Sequence, residues 1–175
     1  NLIKKGLVID KLLDSLIVTE GVKSDDLIMG DKNAVMVAAR ILAYGPDYVC
    51  EVTHPETGET YTHSFNLTQC EFKKSEIDEN NFEFKLPVTK TKLTFKLLTG
   101  LEERKILKEL ESIKKLGAQV SPELTTRMRY TITSVDGNKE QSNINQFVES
   151  MLSRDTLALR KEIVRVTPDI DMTQE

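Results

Sequence analysis

Tryptophan is absent from the 175-residue chain, and cysteine and histidine occur only twice each. Two cysteines cannot staple a disulfide-rich secreted scaffold, and two histidines leave little material for general-base chemistry or a His-rich metal cage. No apolar run approaches the roughly 20 residues needed for a membrane helix. Basic residues number 24 against 28 acidic ones, a net charge of −4. A chain without a basic surplus or stripe is a poor non-specific nucleic-acid binder, so neither nucleic acid nor membrane is an expected partner. What is present is ordinary for a globular fold: 39% hydrophobic and 30% charged residues, enough apolar material for a packed core.

Periodicity divides the chain into three. From Leu7 to Ile17 the residues Leu7, Val8, Ile9, Leu12, Leu13, Leu16 and Ile17 recur at three- and four-residue spacing, which predicts an amphipathic helix. Gly30-Asp31 offers an N-cap for a second helix, Lys32 to Tyr44. That helix is apolar on nearly every face, which predicts burial. Gly45 and Pro46 close it. Arg40 is its one long cation, with its head either at the surface or paired inside.

The middle alternates at period two. Tyr48 to Thr53 and Thr60 to Leu67 form a hairpin around the turn His54 to Glu59, and pairing Thr53 with Thr60 sets Cys50 opposite His63. A second pair, Phe82 to Pro87 and Lys92 to Leu97, follows a polar connector, Glu71 to Asn81.

Helical spacing then returns. Thr99-Gly100-Leu101-Glu102 is a capping box for a helix running to about Leu116 and stopped by Gly117. Ser121-Pro122-Glu123 starts another, in which Leu124, Met128, Ile132 and Val135 fit helical spacing while Met128 to Thr133 also fits a strand. Asp136-Gly137-Asn138 is a turn. Helices are expected over Ser142–Leu152 and Asp155–Val166, with residues from Asp169 on forming a tail. The fold class is therefore α+β: central antiparallel β-hairpins flanked by an N-terminal helical segment and a C-terminal helical subdomain. Residues 1–98 form one expected domain, with residues 99–175 as a helical subdomain packed on it, or the two make a single domain.

Both cysteines and both histidines fall in one stretch, Cys50, His54, His63 and Cys70, but their spacing matches no paired-ligand zinc pattern. They are weak metal candidates, better explained as half-buried thiols and hydrogen-bonded imidazoles. The sequence His54-Pro55-Glu56-Thr57-Gly58 has the outline of a CPxCG zinc knuckle with both thiolates replaced. No phosphate loop, H-E-x-x-H helix or nucleophile elbow is present, so neither a catalytic role nor a cofactor is expected.

The order of segments carries a resemblance. "LIMGDKNAVMVAARILAYGPDYVCEV" is followed by "HPETGETYTHSFNL" and "NNFEFKLPVTKTKLTFKLLTG", then by "ITSVDGN", "INQFVESMLSRDTLALRKEI" and "VTPDIDM". From about residue 25 on, this resembles the baseplate hub subunit family of T-even-type contractile-tail bacteriophages. The matching positions are Asp31, Arg40, Tyr44 and Gly45; Leu86, Pro87 and Thr94 to Thr99; Ser134 to Gly137; and Asp155, Leu159, Arg160, Pro168 and Asp171. The knuckle cysteines are missing, so no zinc role carries over.

The resemblance implies a non-enzymatic structural or assembly protein of the tail baseplate. It would be found in the virion, and in the host cytoplasm during assembly. Its partners would be other baseplate or tail proteins, or further copies of itself. A tail-assembly chaperone absent from the mature virion, or a cellular adaptor with a small metal-binding module, are the alternatives. Arg40, Asp155, Leu159 and Arg160 are the candidate interface residues. The apolar residues of the C-terminal helices, from Ile144 to Val166, either supply the interface or complete the core against the capped helix.

Overall fold

The structure, a computed structural model, describes residues 7–73, 79–116 and 122–171. In chain order its elements are α1 (Leu7–Leu16), α2 (Met29–Tyr44), β1 (Asp47–Thr53), β2 (Thr60–Asn66), β3 (Glu71–Lys73), β4 (Phe82–Lys85), β5 (Lys92–Phe95), α3 (Gly100–Lys115), α4 (Glu123–Thr131), β6 (Ile132–Val135), α5 (Gln141–Ser150), α6 (Ser153–Val166) and β7 (Asp169–Asp171). The fold is α+β, with all strands in small antiparallel sheets. The described residues fall into two compact units, one gathering 7–24, 30–73 and 168–171, the other 25–29, 79–116 and 122–167.

In the first unit α1 forms where the apolar spacing places it, and buries Leu13 completely. α2 departs from expectation twice. It starts at Met29, so Asp31 lies in its first turn instead of capping it. Partial loss of solvent pushes the Asp31 carboxyl above its ordinary range. Nor is α2 a buried core helix. Only Gly30 and Lys32 are buried, while Leu42 and Tyr44 stand 88% and 78% exposed. Composition misleads here because Ala and Val fill every face, whereas burial depends on what neighbouring elements cover. Lys32 reaches Asp10 of α1 at 2.9 Å. Gly30 is a packing necessity, since a Cβ there would collide with the Pro168 carbonyl.

Gly45 closes α2 in the left-handed region, at φ 84°. Arg40 donates to the backbone carbonyls of Gly45 at 3.1 Å and Asp47 at 3.4 Å, with its guanidinium against the Tyr44 and Tyr48 rings. It therefore binds the helix-to-strand corner through carbonyl oxygens and aromatic faces. β1 and β2 pair in the expected register, with Thr53 opposite Thr60 and Cys50 opposite His63.

Two segments read as irregular are strands. The polar connector after Cys70 opens with β3, and the expected tail contains β7. The two pair with Phe72 opposite Ile170. Three residues carry too little alternation to be seen locally, and the pairing is nonlocal.

The second unit is built on the sheet β4-β5-β6. Phe82 stacks on Phe95 at 5.3 Å between centroids. Leu86, Leu93, Ile132, Ile144 and Leu159 complete the core. On the opposite face of β5 the Thr94 hydroxyl lies 2.8 Å from that of Thr133 and 2.6 Å from that of Ser134. The capping box of α3 is present: the Glu102 carboxylate accepts from the Thr99 amide at 2.8 Å and hydroxyl at 3.0 Å. Both readings of the segment after Glu123 are partly right. Met128 ends up in α4, and Ile132 and Val135 in β6, which follows without a loop. Pro122 immediately precedes α4, and its carbonyl accepts the first helical bond from Thr126. Gly117 and Ser121 lie outside the described residues.

Gly30→Ala should separate β7 from α2 and lower stability by about 1–3 kcal/mol, the usual cost of forcing atoms into a closed contact. Thermal unfolding will measure it, and faster amide exchange at Phe72 and Ile170 will localise it.

Candidate partner-binding groove

The metal candidates are distributed along the hairpin as local structural parts. His54 Nδ1 accepts from the Glu56 and Thr57 amides, each at 3.3 Å, and the Thr57 hydroxyl accepts from the Glu59 amide at 3.3 Å. The knuckle-like turn is thus held by an imidazole and a hydroxyl acting as acceptors. Cys50 sits across from His63, and Cys70 follows a short 3₁₀ turn, its amide donating to Leu67. Among the described residues no three His, Cys, Asp or Glu side chains are grouped to hold a metal ion.

The second unit carries a groove of about 850 Å³ between α4, α6, the end of β5 and the Ile28-Met29 segment. Leu97, Met128 and Ile163 lie within it, and Met29, Leu124, Leu157 and Val164 give it a solvent-exposed apolar lining, between 44% and 69% accessible. Helical phase explains the α6 wall. Asp155, Leu159 and Val166 point into the core, whereas Leu157, Arg160, Lys161 and Val164 recur at i, i+3, i+4 and i+7 and share the other face.

Charges on the rim divide into paired and unpaired. Lys96 is paired with Glu102, and Arg127 with Glu103 at 2.6 Å and Glu123 at 3.1 Å. Removal from solvent pushes the Glu102 carboxyl up, but Lys96 and the Thr99 amide and hydroxyl outweigh this and hold it below its ordinary range. Arg160 and Lys161 have no carboxylate partner among the described residues. A second cleft, of about 580 Å³, also includes Lys96. It is polar, with Tyr130 donating to Glu109 and Arg129 to Glu149.

The four candidate interface residues have different local settings. Arg160 alone lines the groove. Arg40 belongs to the other unit and serves the α2–β1 corner. Leu159 and Asp155 have no accessible surface, so neither can touch a partner in this conformation. Leu159 is a core side chain. Asp155 accepts from the Val88 amide at 2.8 Å and from the Thr89 amide and hydroxyl at 3.1 and 2.8 Å. Loss of solvent pushes its carboxyl up, but those three bonds, with Lys90 nearby, hold it below its ordinary range.

Most of the C-terminal apolar set completes the core: Ile144, Val148, Leu159 and Val166 are buried, and Phe147, Met151 and Ile163 pack against them. Leu152 and Leu157 remain exposed. Sequence reasoning missed Met29, Leu124, Lys161 and Val164. The α6 pair had a visible signal, the four-residue stripe with Leu157 and Arg160. Met29 and Leu124 come from distant segments and had none.

A family model described as T4 bacteriophage base plate protein matches residues 4–175. Neither a curated protein nor a solved structure matches the chain significantly.

The carboxylates of Asp155 and Glu102 set an expected pH dependence. Their folded-state values are lowered, so their contribution is fully present above the unfolded-state values of about 4. It is lost as pH falls through the lower folded values. Stability should therefore drop below about pH 4 in melts across a pH series. Asp155→Asn should lower Tm at neutral pH and flatten that acid limb, since a buried amide places a donor against the Val88 and Thr89 amides.

Proposed function

The chain belongs to the T4 bacteriophage base plate protein family, and from that premise we propose that it is a non-enzymatic structural part of the tail baseplate, placed at the hub and acting through contacts with other baseplate or tail proteins. The observation that carries the contact mode is the α6 wall of the groove. Leu157, Arg160, Lys161 and Val164 are exposed on a helix whose opposite face is fixed in the core. An exposed apolar lining bordered by an uncommitted guanidinium is the composition of a protein interface centre, where Arg is enriched among the side chains that dominate binding. Its fork suits a bidentate carboxylate on the partner.

Arg160→Ala should change the stability of the isolated protein by no more than about 0.5 kcal/mol, as an exposed site with no internal partner. The same substitution should weaken partner binding by more than about 1 kcal/mol. Complementation of a null phage, with immunoblots of purified particles, reads both the assembly role and residence in the virion. Normal incorporation of the variant overturns the groove as the contact. A wild-type chain needed for assembly but missing from purified particles overturns the structural reading in favour of a chaperone.

A further inference from the structure

We propose that β2 is a self-complementary edge through which two copies of this chain join their hairpins into one four-stranded sheet. This edge belongs to the first unit and shares no residue with the groove.

The ladder fixes which backbone groups are free. His54 donates to Glu59 at 2.8 Å and Leu67 to Pro46 at 2.9 Å, so the bonded rungs between them are Val52–Tyr61, Cys50–His63 and Tyr48–Phe65. Thr60, Thr62 and Ser64 consequently turn their N–H and C=O groups away from β1. Among the described residues no third strand covers them, since this sheet is β1-β2 alone, and none of these groups bonds elsewhere.

Exposed edges are usually defended by charge, proline or a bulge. The seven residues Thr60–Asn66 contain no Asp, Glu, Lys, Arg or Pro, and their register is unbroken. β1 differs: Asp47 and Glu51 stand on its outer positions, and Arg40 takes the Asp47 carbonyl.

A second copy fits this edge through the sequence itself. An antiparallel pairing centred on His63 sets Thr62 opposite Ser64 of the other copy in bonded rungs, with Thr60 reaching Asn66 at each end. On the half-buried face Tyr61 meets Phe65, an aromatic pair of the favourable cross-strand kind. No like charges oppose. At the centre His63 meets its own counterpart, and within one protomer its Nε2 is buried without a hydrogen-bond partner. The need is physical too. A two-stranded hairpin is marginal alone, and in this unit Leu13 and Leu67 are the only buried large hydrophobic side chains among the described residues.

Analytical ultracentrifugation of the purified chain tests this without a baseplate. The wild type should dimerise in the micromolar range. His63→Lys and His63→Glu should each raise the dimer Kd by at least about tenfold by opposing like charges across the axis. An equimolar mixture should restore association as a Lys–Glu heterodimer, which also shows that both variants are folded. Thr62→Pro, which removes an outward amide, should abolish dimers. Arg160→Ala should leave them unchanged, separating this surface from the groove. A monomeric wild type, dimers indifferent to these substitutions, or a strand from a different baseplate protein occupying the edge would each overturn the proposal.

Discussion

β5 is the strand that organises the second unit. It runs between β4 and β6, and its inward side chains Leu93 and Phe95 are almost wholly removed from water. Burying two such side chains contributes roughly 1.5–3 kcal/mol each, a large share of a domain's net stability. Each neighbour is positioned by that burial. Phe82 stacks on Phe95, α4 runs straight into β6, and the α5 and α6 core residues close over the same face. Because the two flanking strands use opposite edges of β5, a shift in its register would misalign both at once.

Asp155 links that sheet to α6. Its carboxylate anchors the turn after Leu86 from the first turn of α6, so the helix is fixed in rotation as well as position. With the Asp155–Leu159 stripe held inside, the stripe containing Arg160 has to face outward. Two residues five apart in sequence thus divide the work: one is an internal clamp, the other a displayed cation.

Much of this was legible in the sequence where neighbours in the chain decide the outcome. The hairpin register, the capping box, the Gly45 stop and both C-terminal helices follow from short-range pattern. What stayed hidden is set by distant segments. Whether α2 is covered depends on other elements, and its composition alone pointed to burial it does not have. β3 and β7 exist only because they meet each other. The groove was half legible. The α6 stripe can be read from spacing, but Met29 and Leu124 enter it only through the tertiary fold. Asp155, Leu159 and Arg160 were marked together by resemblance, yet burial separates the first two from the third.

The joining of β7 to β3, and of Pro168 to Gly30, has a consequence for the order of events during synthesis. The second unit is encoded almost without interruption and holds most of the hydrophobic core, so it can fold on the ribosome as its residues emerge. The β3–β7 pairing of the first unit cannot form until residues 169–171 have left the ribosome, because β7 is made after every other described element. β3 and the Gly30 end of α2 therefore wait for these partners through the whole translation of the second unit. The unit whose translation begins first is thus the one completed second.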